Sequence, residues 1–191
     1  DGETLELAYK YAHSGFKKIK SFQGADGGFS LWANNKKHPK AHYTAMGLMQ
    51  MALYARLFDG RGSYQMQKAL SFLAKKKLDP IYKLYALYAI SEYAAYSEEA
   101  QGQIFMDKLL EERVVPDNNY QRALLANALM LRTDDSSKAQ FHGLIKQLKK
   151  AQRADGSISS KGHGVMGSAG QTLTVETTAL ATVAFKNAGD I

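Results

Sequence analysis

The residues whose types and spacing are suited to chemistry lie mostly in the last third of the chain. Gly162-His163-Gly164-Val165-Met166-Gly167 fits G-x-G-x-x-G, the glycine pattern that lets backbone approach a pyrophosphate. That chemistry needs a preceding strand and a surrounding βαβ unit, and neither is present, so the segment reads as a flexible loop. His163 and Ser168 share this loop without the G-x-S-x-G nucleophile elbow. His38 and His42 have the spacing at which one helix face clasps a metal, yet no third ligand lies near them in sequence. A solvent-exposed helix start just after Pro39 explains them better. Asp134-Asp135, the only Asp pair, runs on into Ser136-Ser137-Lys138 and reads as a helix cap. The chain has no cysteine, which removes disulfides, thiolate metal sites and a cysteine nucleophile while leaving the compartment open. The residues therefore nominate no catalytic, cofactor-binding or metal-binding side chain, and no cofactor.

Two phrases point to the elements that would position any site. Phe22-Gln23-Gly24-Ala25-Asp26-Gly27-Gly28-Phe29 is echoed by Ala151-Gln152-Arg153-Ala154-Asp155-Gly156-Ser157-Ile158. Each follows an amphipathic basic helix, and each leads through a loop to a helix carrying Thr-Ala, at Thr44-Ala45 and Thr178-Ala179. Self-similar helical units are the mark of repeat and ring architectures. The phrase itself reads as a staple: Gln satisfies orphan backbone groups at a helix end, Asp-Gly makes the turn, and Phe29 or Ile158 folds back over it.

Period-3.6 patterning covers nearly the whole chain and predicts eight helices. They run over Thr4 to Gln23, with Leu5, Ala8, Tyr9, Ala12, Phe16 and Ile19 at helical spacing, and over Ala41 to Phe58, stopped by Asp59-Gly60. The third begins at an N-cap Ser63 and reaches Lys76. Asp79-Pro80 opens a fourth and Ser97-Glu98-Glu99 a fifth. A sixth carries Tyr120 to Leu131, a seventh is capped by Asp135-Ser136-Ser137, and the eighth spans Leu173 to Asn187. Helices four and six are apolar almost all round, whereas one, three, five and seven are two-faced. Even-numbered helices should thus form an inner layer and odd-numbered ones an outer layer. Small residues from Ala45 and Gly47 through Ala86, Ala123 and Ala184 sit where inner helices approach closely. The expected fold is all-α, a two-layer α/α toroid or partial toroid of antiparallel helical hairpins, in one domain over residues 1–191.

The 191 residues carry a net charge of +7, in runs at Lys17-Lys18, Lys36-Lys37, Lys75-Lys76-Lys77 and Lys149-Lys150. These read as solvated faces and helix C-terminal cations, and no aromatic-interleaved basic strand suggests nucleic acid. No apolar run is long enough to span a bilayer. Within the inner helices the only carboxylates are Glu92 and Glu176. Tyr82, Tyr85, Tyr88, Tyr93 and Tyr96 form a stripe that could line a sugar- or peptide-binding hollow, with packing as the ordinary alternative.

Four segments, in order, resemble the thioester-containing domain of the α2-macroglobulin and complement family, bacterial type. Ser21-Phe22-Gln23-Gly24-Ala25-Asp26-Gly27-Gly28-Phe29-Ser30-Leu31-Trp32 is similar to its "Q-x-x-DGGFSLW" segment, and His42 to Leu48 to the helix after it. Tyr120 to Leu129 resembles an "ALALLAYAL" helix, and Thr174 to Ala181 the "VETTALAL" helix. The resemblance implies an α/α toroid, also called a terpenoid cyclase-like fold, in a non-enzymatic protease inhibitor module. Its partners would be proteases or neighbouring domains of a larger protein, exported to the periplasm or cell surface. Bait cleavage would release a conformational change that encloses the attacker. The family's thioester joins a Cys to a Gln in C-x-E-Q; with no Cys here, such a motif would lie upstream of Asp1 or be lacking. The place of the family's acyl-transfer His holds Lys75-Lys76-Lys77-Leu78-Asp79. The alternative is a toroid enzyme of terpenoid-cyclase or polysaccharide-active type. The D-x-D-D acid and D-D-x-x-D motif of the cyclases are absent, as is the zinc-ligating Cys of the prenyltransferases, so the enzyme would need two acidic residues facing one another across the inner helices.

Overall fold

A computed structural model describes residues 2–33, 38–58, 63–96, 100–111 and 114–189. The described chain is all-helical, with a single isolated β-bridge between Gln23 and Phe29. The helices are α1 (Gly2–Ser21), α2 (Ala41–Leu57), α3 (Ser63–Leu73), α4 (Pro80–Tyr96), α5 (Ala100–Glu111), α6 (Asn119–Leu129), α7 (Asp135–Ala151) and α8 (Gly170–Asn187). The expected Asp59-Gly60 stop, the Ser97-Glu98-Glu99 start, the Ser63 side chain and the Lys36-Lys37 run lie outside the described residues.

Local chemistry explains where the helices begin. Pro80 occupies the first position of α4, where its missing N–H is no loss. Asn118 caps α6 by accepting from Gln121 N at 3.0 Å, and the Gln121 side chain accepts in turn from Asp117 N at 3.0 Å, akin to a capping box. The α7 cap is Asp134, one residue before the expected Asp135, accepting from Ser137 N at 2.8 Å. That bond holds the Asp134 carboxyl down at about 2. α8 starts three residues earlier than its apolar pattern, at Gly170, with no side-chain cap.

α2 packs on α4, α4 on α6 and α6 on α8, while α1, α3, α5 and α7 pack on this row from outside. Among the described residues, no packing of comparable extent joins α2 to α8. One continuous core runs from Phe16 to Phe185. Tyr120 to Leu129 is almost wholly buried apart from Arg122, as an all-round apolar helix should be. Asn127 sits inside it, its amide donating to Ala123 O and to Leu180 O of α8, both at 2.9 Å.

The two ends of the row depart from the expected pattern. α8 buries only Leu173, Thr177, Ala181, Ala184 and Phe185, one face, and leaves Val175 and Val183 exposed. Among the described side chains of α1 only Phe16 is buried, while Leu5, Leu7, Tyr9 and Tyr11 are exposed. Helical spacing in α1 therefore marks a face that is covered only towards its C-terminal half, because α2 is the helix it packs on.

Candidate functional site

The two repeated phrases fold into the same device. Gln23 and Gln152 end their helices and turn their side-chain amides onto the carbonyls of Gly27 (3.0 Å) and Gly156 (3.1 Å). Asp26 and Asp155 each accept from the backbone N–H two residues on. Gly27 and Gly156 have φ of 91° and 83°, which favours glycine in both. Thr44 and Thr178, the threonines of the Thr-Ala pairs, accept from Phe29 N (2.9 Å) and Ile158 N (3.0 Å). Each threonine hydroxyl in turn donates to the carbonyl four residues back, Lys40 O or Thr174 O. Turn and inner helix are thus tied by a hydroxyl relay, with Phe29 and Ile158 buried beneath it.

A third turn follows with the same backbone bonds. Gly164 N donates to Ser168 O and Gly167 N to Gly164 O, as Arg153 N does to Ser157 O and Gly156 N to Arg153 O. Gly167, at φ 80°, stands where Gly27 and Gly156 stand. Gly164 and Gly167 of the G-x-G-x-x-G phrase make this turn, and among the described residues no strand precedes it. Gly164 packs closely on its neighbours: a Cβ there would lie 2.3 Å from Ser168 Oγ and 2.8 Å from Glu176 Oε2, so those side chains would have to move to admit one.

This third turn roofs a hollow of about 340 Å³ lined by Tyr85 from α4, Tyr120 from α6, Glu176, Leu180 and Val183 from α8, and Val165 and Met166 from the turn. Val165 N donates to Tyr120 Oη at 3.3 Å, orienting that phenol. Ser168 Oγ, behind the turn, is buried with no hydrogen-bond partner among the described residues. Burial, and then the nearby Tyr120, Tyr88 and Glu176, pushes the Tyr85 hydroxyl up to about 12. Tyr120 is raised too, mainly by burial, against the opposing Val165 N–H bond. Both phenols stay neutral in the physiological range and act as donors or acceptors, not as bases. Two phenols, one carboxylate and an apolar wall suit a ligand with an apolar body and a polar or cationic end.

Among the tyrosines of the α4 stripe, only Tyr85 lines this hollow. Tyr93 is fully buried in the core and Tyr82 stacks on His42 with ring centroids 4.9 Å apart. Burial raises Tyr88, with Glu92 adding to it and Arg56 opposing. The Tyr96 side chain lies outside the described residues. His42 is half-buried rather than solvent-exposed, its pKa lowered by burial and by Lys40, while His38 and His163 are exposed. No group of three His, Asp or Glu that could hold a metal occurs among the described residues.

The two inner-helix carboxylates have different surroundings. Glu92 Oε2 lies 2.6 Å from Arg56 Nη1, and Glu92 stands about 10 Å along α4 from Tyr85 at ~1.5 Å per residue. Glu176 faces the hollow alone, and no described Lys, Arg or His pairs with it. Tyr120, whose ring and hydroxyl help to build the hollow, was not singled out by its own spacing; the signal for it lay in the polar tip of an otherwise apolar helix. No protein-family model and no curated protein sequence matches the chain.

Proposed function

We propose that the chain is a non-enzymatic helical module of a bacterial α2-macroglobulin-like protease trap, exported to the cell envelope, whose partners are proteases or neighbouring domains of the same protein. The observation that carries this reading is the role of the most family-like segment: Ser21 to Trp32 is built as a staple, the Gln23 amide donating to Gly27 O and Gln65 O and Phe29 N to Thr44. The ion pair of Glu92 with Arg56, and its absence from the lining of the hollow that Glu176 faces, also favour a scaffold, because paired acid and base chemistry needs two carboxyl groups facing one substrate.

The test uses the protein as its gene encodes it, incubated with an activated serine protease. A trap leaves cleavage of a small chromogenic peptide nearly intact while suppressing casein cleavage at least about tenfold, since enclosure excludes only large substrates. Equal activity on both substrates overturns the reading. The rival, a toroid enzyme, rests on the lone carboxylate of the hollow. It requires Glu176→Gln to abolish turnover of a polysaccharide or isoprenoid diphosphate.

A further inference from the structure

Away from the tyrosine hollow, the end of α3, the start of α4 and the end of α5 enclose a cavity of about 530 Å³ into which five lysines converge: Lys75, Lys76, Lys77, Lys83 and Lys108. Its other described lining residues are Ala74, Leu78 and Leu109, and no described carboxylate lines it. Part of this charge has a local cause. α3 ends at Leu73, and cations beside its last carbonyls complement the negative end of the helix dipole. Lys76 Nζ also sits 4.6 Å from the centroid of the Phe72 ring.

The dipole works the other way at Lys83. It is the fourth residue of α4, at the positive end of that helix, and only 5% exposed. Lys83 is engaged within the chain. What calls for an anion is that Lys75 and Lys77 from the connection and Lys108 from α5 bring further positive charge to the same space. The neighbouring cavity shows the contrast: there Arg132 is bracketed by Asp107 and Asp134, so its charges are answered internally.

We propose that the lysine cavity binds a compact oligophosphate, two or three linked phosphoryl groups, either free or at the head of a lipid. Lysines act as point charges and take phosphate well, whereas planar carboxylate recognition favours the arginine fork, which no described lining residue supplies. Several ammoniums around one space match a ligand with several charges on adjoining centres.

Calorimetric titration with tripolyphosphate at about 0.15 M salt reads the free ligand. Saturable one-to-one binding is expected, weakened at least about tenfold in Lys75→Ala/Lys77→Ala/Lys108→Ala, all exposed positions whose loss leaves the core intact. The control Lys138→Ala/Lys146→Ala/Lys150→Ala removes the same charge from α7 and should bind as the parent does. Cosedimentation with phosphatidylcholine vesicles carrying diacylglycerol pyrophosphate, lost in the cavity variant alone, supports the lipid-borne source. Equal weakening in the two triple variants, or no binding in either arm, overturns the proposal. Neither outcome depends on protease trapping.

Discussion

The turns at 23–29 and 152–158 share the glutamine, aspartate and threonine bonds that close them but not their surroundings. At the first, Gln23 spends its second amide proton on Gln65 O of α3 at 2.8 Å, and Gly27 lies against the α3 backbone. At the second, Gln152 bonds only within its own turn, and nothing described lies within 4 Å of a Cβ added at Gly156. The same device is therefore a three-helix junction in one place and a self-contained helix stop in the other. The difference teaches that the phrase encodes the turn and its tie to the inner helix, while the third partner depends on what the fold places beside it.

The sharpest way to break this comparison is at the glycines. In Gly27→Ala the new Cβ meets Lys68 O at 2.1 Å in a backbone conformation that L residues resist, and we expect a loss of about 3 kcal/mol or more. Gly156→Ala carries only the conformational cost, about 1–2 kcal/mol. Urea unfolding of both variants measures the gap; equal losses would mean that α3 does not press on the first turn. Next in size are the glutamines. Gln23→Ala removes two part-buried hydrogen bonds and should cost about 2 kcal/mol, against roughly 0.5 kcal/mol for exposed Gln152→Ala, as read from the same unfolding curves.

The smallest effect sharpens the comparison at the aspartates. Asp155 accepts from both Ser157 Oγ (2.7 Å) and Ser157 N (2.9 Å), which hold its carboxyl below the ordinary 3.8. Its equivalent, Asp26, meets a glycine at that place, Gly28, and receives the backbone bond alone. A carboxyl depressed by folding contributes stability above its unfolded pKa, lost as pH falls through the folded value. Ser157→Gly should therefore raise the Asp155 pKa towards 3.8 and flatten the stability curve just below that pH, which carboxyl NMR titration and unfolding at stepped pH would register. An unmoved Asp155 titration would show that the hydroxyl bond is immaterial.

Much of the fold was legible because helix periodicity and caps are local. Pro80, Asn118 and the two Gln-x-x-Asp-Gly phrases announce their own structure within a turn or two. Inner and outer helices could be told apart because α4 and α6 are apolar all round. Coverage by other elements is not local, so exposure of Leu5 and Tyr9 on α1, and of Val175 and Val183 on α8, could not be foreseen from spacing. The hollow was half-visible: Tyr85 and Glu176 drew notice, but their meeting with Tyr120 under the 164–168 turn depends on three helices converging. The role of Thr44 and Thr178 was likewise hidden, since the bond each makes spans 15 or 20 residues.

Asn127 gives the terminal helix something that apolar contact does not. Sliding α8 along α6 would exchange one set of small side chains for another at modest cost, because Ala123, Ala126, Ala181 and Ala184 offer little to distinguish neighbouring positions. The amide of Asn127 reaches Leu180 O, and a slide of less than a full turn would break that bond, since the next carbonyl on the same face of α8 lies about 5.4 Å away. A single buried side chain thus works as an index mark, fixing where α8 sits as well as that it sits, and with it the alignment of Glu176 opposite Tyr85 and Tyr120.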